Sequence, residues 1–174
     1  MTPVPLEPGL LYFAYGCNMN ADVLSRVVGA RVTRGSPACA DGWRLGFNKG
    51  GEGETGATVT ATIVRTAGCR VYGVVYRLGL AALRALDAFE GAPEHYERQP
   101  IWVAPVGRRA AQAAITYVAR PEWVSVSGRP DPDYVQSLLS GARAHGLPDD
   151  YVTWLDALAR GDIRDCYRLA GEEG

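Results

Sequence analysis

Lysine is nearly missing from this 174-residue chain: Lys49 is the only one among 18 basic residues, and histidine appears only as His95 and His145. The arginines are scattered and the formal net charge is −1, so no basic stripe exists to follow a phosphate backbone and nucleic acid is not an expected partner. Long apolar runs are absent too. The first eight residues, MTPVPLEP, have neither a basic n-region nor an apolar h-region, and no later run approaches a membrane span. The expectation is a soluble cytoplasmic protein without a membrane partner. The four cysteines are far apart with no Cys-x-x-Cys, and two histidines are too few to complement them, so neither zinc spacing nor a disulfide scaffold is suggested. Cys39, Cys69 and Cys166 read as small buried hydrophobes. There is no internal repeat, low-complexity tract or linker. With 47% hydrophobic and 21% charged residues, the chain suits one core and a single domain over 1–174, its centre at about 10–160.

Apolar patterning and turn residues predict strands at residues 11–15, 38–47, 57–65, 69–78, 95–106 and 110–119. Gly73, inside the most β-prone run, reads as a bulge or a close backbone approach. The Gly-rich segment 50–56 resembles a phosphate cradle only superficially: it lacks a Gly-Lys-Ser/Thr ending and a following helix, and reads as a hairpin loop. Helices are expected after Asn20, over residues 80–90 with Gly91 as stop, from the Asp131 cap and Pro132 to Gly146, and from Asp149 to Gly161. About six strands, with helices interspersed and then clustered at the end, indicate an α+β fold.

Two features carry chemistry. The first is Tyr15-Gly16-Cys17-Asn18-Met19, where an apolar strand breaks at glycine and leads into a helix. The amides of such a turn, with the positive end of the helix dipole, can hold a carboxylate or phosphate, although many strand-to-helix turns carry glycine and bind nothing. The second is Glu90. At about 100° per residue it falls within the arc of roughly 180° marked by Leu80, Leu83, Leu86 and Phe89. A carboxylate on an apolar face is desolvated and its pKa rises towards neutrality, as a general base requires. The other reading is a frayed last turn that lets Glu90 reach solvent. Asp87, nearer the edge of the stripe, reads as a solvated or capping acid.

With YGCN after the first strand and LDAFEG ending a mid-chain helix, the chain resembles the gamma-glutamylcyclotransferase family, whose members share Tyr-Gly-Ser-Asn and Leu-Asp-x-x-Glu-Gly motifs at those places. The resemblance extends to Tyr96 and to the segment from Asp133-Tyr134-Val135 through His145-Gly146-Leu147-Pro148. It implies a small mixed β-barrel flanked by helices, with the YGCN loop and the glutamate meeting at one cavity. It also implies a reaction: the α-amine of a gamma-glutamyl compound attacks its own γ-carbonyl, releasing 5-oxoproline and an amine or amino acid without metal or organic cofactor. By the same resemblance Glu90 is the catalytic acid/base. Tyr15, Gly16, Cys17, Asn18 and Met19 form the glutamyl-binding loop, and Tyr134 and Tyr96 face the substrate. For the two tyrosines, ordinary packing is the competing reading. Family members include dimers, and no heptad or apolar face in this chain supports one independently.

Cys17 departs from the family's serine, which puts substrate preference in question because a thiol is a poor hydrogen-bond donor. It also raises a second mechanism, a Cys17 nucleophile with His95 as base in a hydrolase. The remaining readings are an enzyme that removes, by the same cyclisation, a gamma-glutamyl group from a larger acylated amine of a biosynthetic pathway, and a catalytically silent small-molecule-binding module. The segment 122–129 is expected to cover the leaving-group side of the cavity.

Overall fold

The computed structural model describes residues 9–50, 58–124 and 128–169. Most of the Gly-rich 50–56 connection and the middle of the 122–129 segment lie outside them. Five strands, β1 (Leu10–Ala14), β2 (Ser36–Lys49), β3 (Thr60–Leu78), β4 (Tyr96–Pro105) and β5 (Gln112–Ala119), close into a barrel in the order β1-β3-β2-β4-β5. Neighbours run antiparallel except β1 and β5, which close the barrel in parallel with Tyr12 opposite Ile115. The four helices are α1 (Ala21–Val28), α2 (Leu80–Glu90), α3 (Pro132–Ala144) and α4 (Asp149–Arg160).

The α+β barrel is the expected fold with one strand fewer. The predicted strands at 57–65 and 69–78 are one continuous strand, β3, because β2 stays paired with it on both sides of the expected break. The register jumps there from Asp41 opposite Arg70 to Trp43 opposite Arg65, and Gly42 and Gly68 adopt positive φ. The ribbon therefore bends instead of ending. Gly73 marks a close approach: a Cβ there would sit 2.3 Å from the carbonyl oxygen of Ala14 on β1.

Helix boundaries follow their caps. Asn20 accepts from the amides of Asp22 and Val23 to start α1, and Asp131 accepts from those of Asp133 and Tyr134 to start α3 with Pro132 in its first turn. Gly91 and Gly161, both left-handed, stop α2 and α4. The expected apolar stripe of α2 is narrower than its spacing suggested. Leu83 and Leu86 are fully buried, whereas Leu80 and Phe89, at the two ends of the helix, are 52% and 55% exposed.

The cysteines require a correction. Cys69 at the bend of β3 and Cys166 near the end of the described chain form a disulfide across a sequence separation of 97, and Cys39 is half-buried. Disulfides persist in oxidising surroundings and are uncommon in a reducing cytosol, so this pairing weighs against the cytoplasmic expectation. Among the described residues no helix is long and apolar enough to cross a membrane.

α3 lies close against the turn between β1 and α1. A Cβ on Gly141 would meet the backbone nitrogen of Asn20 at 2.4 Å and the carbonyl carbon of Met19 at 2.5 Å. Both are main-chain atoms and cannot swing aside. Gly141→Ala is expected to destabilise the protein by roughly 1–3 kcal/mol, the usual cost of overpacking, read as a lower urea midpoint at unchanged m-value.

Candidate active site

Beyond Ala14 the chain leaves the barrel, passes Tyr15 and Gly16, and makes one 3-10 turn over Cys17–Met19 before α1 begins. The expected strand-to-helix junction therefore contains an extra 3-10 turn ahead of α1. The first amides of α1 are already taken by the Asn20 side chain. Among the described residues no oxygen accepts from the amides of Cys17 or Asn18, which line a cavity of about 370 Å³ at the end of the barrel.

Asn18 is 3% exposed and its carboxamide spends both hydrogens inside this cavity. Nδ2 donates to Glu90 Oε1 at 3.1 Å and to the Tyr12 hydroxyl at 3.2 Å. Glu90 is the last residue of α2, and Gly91 turns the chain immediately after it, so the helix holds its form through the acid. Spaced four and seven positions from Leu86 and Leu83, Glu90 continues their face and enters the cavity, half-buried. Burial raises its carboxyl pKa to about 7, against the opposing pull of the Lys49 charge and the Asn18 hydrogen bond. Asp87 is engaged elsewhere: it pairs with Arg98, accepts from the Tyr117 hydroxyl at 2.7 Å, and is held below the usual carboxylate range.

The tyrosines meet on the backbone of one β3 residue. The amide of Ala61 donates to the Tyr134 hydroxyl at 3.1 Å, and the Ala61 carbonyl accepts from the Tyr96 hydroxyl at 2.8 Å. Tyr134, in the first turn of α3, keeps its own phenol proton available to a ligand. Its oxygen would lie 3.0 Å from a Cβ on Gly16, so the glycine admits the hydroxyl at that point. Tyr15 is buried and donates to the Tyr117 carbonyl.

Of the residues singled out from sequence, Tyr15, Gly16, Cys17, Asn18, Glu90, Tyr96 and Tyr134 all line this cavity. Met19 does not: it is fully buried in the core, and its carbonyl accepts from the Tyr76 hydroxyl at 2.8 Å. Tyr12, Tyr117 and Lys49 also line the cavity and were not anticipated there. The only hint available for Lys49 was its solitude in an arginine-rich chain.

Cys17 lines the same cavity. Burial, reinforced by the nearby Glu90 charge, pushes its thiol up to about 12, opposite to the shift an attacking thiolate needs. His95, the proposed base, instead stacks on Trp123 with centroids 4.0 Å apart and lies 3.4 Å from the Lys49 ammonium. Among the described residues no cluster of side chains suits a metal ion.

The pattern of the family described as gamma-glutamyl cyclotransferase, AIG2-like, matches residues 12–136, a span that contains the YGCN turn, Glu90, Tyr96 and Tyr134. The chain belongs to this family. It is a gamma-glutamylcyclotransferase-like enzyme. It is similar to the human gamma-glutamylcyclotransferase, with 28% identity over 170 residues, covering 91% of this chain and 83% of that protein. It is also similar to the bovine gamma-glutamylaminecyclotransferase, at 38% identity over a shorter 69 residues that cover 38% of this chain and 41% of that one. A solved structure of a gamma-glutamyl cyclotransferase superposes with a TM-score of 0.75 at 25% identity, covering 95% of this chain and 94% of its own.

The raised pKa of Glu90 has a thermodynamic signature. The folded protein holds this proton more tightly than the unfolded chain, so its contribution to stability is present below the unfolded pKa of about 4.3 and is lost as pH rises through about 7. Glu90→Gln, which cannot ionise, escapes that loss. The melting temperature of the variant relative to wild type is expected to be higher at pH 8 than at pH 4, measured by calorimetry at both values.

Proposed function

We propose that this protein cyclises the gamma-glutamyl group of a small amide, releasing 5-oxoproline and an amine or amino acid. The observation that carries this reading is the Glu90 carboxylate, titrating near 7 inside the cavity and held at 3.1 Å by Asn18 of the YGCN turn. A group ionised and protonated in comparable amounts near neutral pH can move a proton in both directions.

In this mechanism Glu90 removes a proton from the substrate α-ammonium. The freed amine attacks the γ-carbonyl carbon and forms the ring C–N bond. The original amide C–N bond then breaks as Glu90 returns that proton to the departing nitrogen, and the second proton shed by the ring nitrogen converts the released amine to its ammonium form. Nucleophile and electrophile sit in one molecule, so catalysis reduces to folding the glutamyl chain and moving that proton. The amides of Cys17 and Asn18 supply donors for the α-carboxylate or the developing oxyanion, and Gly16 and Tyr15 shape the turn that presents them. Tyr134 offers its phenol proton to the glutamyl group, and Tyr96 walls the same side. Met19 serves as the anchor that fixes the turn to the core rather than as a contact. No step requires a cofactor.

The test is a panel of gamma-glutamyl amino acids and amines assayed for 5-oxoproline by mass spectrometry. Release of glutamate in its place would indicate hydrolysis and defeat the cyclisation reading. Glu90→Gln should reduce kcat/KM by roughly 10²- to 10⁴-fold. Because the base must be ionised, wild-type kcat is expected to fall as pH drops below about 7, the value to which Glu90 is raised. Cys17→Ser should retain turnover; loss of activity in that variant, with folding intact, would revive the thiol mechanism.

A further inference from the structure

The Cys69–Cys166 disulfide sits where the β2–β3 ribbon is least well paired. Between Asp41 opposite Arg70 and Trp43 opposite Arg65, the residues Thr66, Ala67, Gly68 and Cys69 of β3 stand against Gly42 alone. A ladder interrupted in this way can flex unless something outside it braces both sides. Past the bend, residues 43–49 and 60–65 form an arm that brings Lys49, Thr60 and Ala61 to the wall of the active-site cavity.

The brace is the segment that follows α4. The Arg164 carbonyl accepts from the Arg44 side chain on the arm at 2.9 Å, Cys166 is bonded to Cys69 inside the bulge, and the Tyr167 carbonyl accepts from the Arg70 amide on the barrel side at 3.0 Å. The same segment is fastened to α4. Its Asp165 carbonyl accepts from the Trp154 indole at 3.2 Å, and the Tyr167 ring lies edge-on to Tyr151 and Trp154, with centroids 4.9 and 5.6 Å away. In turn α4 packs on α3, whose first turn carries Tyr134. The helix pair and the ribbon arm are thus tied covalently at the bend and by the 3.1 Å bond from the Ala61 amide to the Tyr134 hydroxyl at the cavity.

We propose that the Cys69–Cys166 disulfide is a redox switch on the active site: oxidised, it locks the ribbon arm where it forms the cavity wall; reduced, it lets the arm move at the bend and withdraw Ala61 from Tyr134 and Tyr96. The reductant is a dithiol. One of its thiolates attacks Sγ of Cys166, the half-exposed partner of the buried Cys69; the S–S bond breaks, and Cys69 leaves as a thiolate that takes up a proton. The second thiol then displaces Cys166 from the mixed disulfide. The reductant ends as a disulfide and the protein as two thiols, two electrons and two protons having passed between them. Cys17 and Cys39 are free and have no disulfide to lose. Oxidising surroundings keep the cavity assembled, and reducing ones turn the enzyme down. The effect on turnover rests on the cyclisation reading above; the opening of the arm does not.

The experiment compares oxidised wild type, wild type reduced with dithiothreitol, and Cys166→Ser, with thiols counted by alkylation and mass spectrometry. Each is followed by amide hydrogen exchange and by 5-oxoproline release from gamma-glutamyl-L-alanine. Reduction is expected to speed exchange at Ala61 and its neighbours on the arm by at least about tenfold while amides of β1, β4 and β5 keep their protection. It should also lower kcat/KM by at least about tenfold, mainly through KM, and reoxidation should reverse both changes. Cys166→Ser should match reduced wild type and ignore dithiothreitol. Unchanged exchange in protein whose disulfide is shown to be open would overturn the proposal, as would a Cys166→Ser variant that still responds to dithiothreitol. Loss of protection throughout the barrel on reduction would overturn it too, because the bond would then support the whole fold and not the arm. Formation of no 5-oxoproline by either redox form would instead defeat the cyclisation reading, with the exchange at Ala61 still deciding whether the arm opens.

Discussion

The carboxamide of Asn18 is the junction on which the site depends. It reaches from the turn after β1 to the end of α2 and donates one hydrogen to Glu90 and the other to Tyr12. Without it the acid would be a desolvated carboxylate with no neutral donor, and the turn would have no tie to the helix opposite. The bond also sets the chemistry: burial alone would carry Glu90 higher, and Asn18 and Lys49 together bring it back to about 7. A polar group buried this fully is stable only when all its hydrogens are used, and here they are.

Around this junction the fold works through main-chain contacts. Gly141 lets α3 lie directly on the backbone of Met19 and Asn20, and the first turn of the same helix delivers Tyr134 to the Ala61 amide. The glycine that seats the helix and the phenol that reaches Gly16 lie about two turns apart on α3. Ala61 accepts one tyrosine on its carbonyl and serves another with its N–H, so the backbone of a single residue sets Tyr96 and Tyr134 side by side. Rigid backbone of this kind places hydroxyls more exactly than flexible side chains would.

What could be read from the sequence followed the range of the interactions concerned. The bounds of α2, the Asn20 and Asp131 caps and the glycine stops were legible because each depends on neighbours a few residues away. The pairing of Glu90 with the YGCN turn emerged through family resemblance, and the helix face explained why the acid points inward. Long-range facts were not legible. Nothing near residues 66–68 reports that β2 continues alongside and carries β3 through the expected break. Met19 was grouped with its turn, yet a 3-10 turn rotates it away from Cys17 and Asn18 into the core. Leu80 and Phe89 fit the stripe of α2 by spacing but extend beyond the surface it packs on. The Cys69–Cys166 pair, 97 residues apart, has no local signature at all.

That disulfide divides the site topologically. It closes a covalent ring from residue 69 to residue 166, and Glu90, His95, Tyr96 and Tyr134 all lie within it. Tyr12, the Tyr15–Asn18 stretch, Lys49 and Ala61 lie on the open arm before the ring begins. Glu90 and the YGCN turn therefore belong to two differently constrained pieces of one chain. The ring retains its half even if its backbone is cut, whereas the arm is held by non-covalent ties alone, among them the barrel strands, the Asn18–Glu90 contact, the tyrosine bonds to Ala61 and Met19, and the packing of α3 on Asn20.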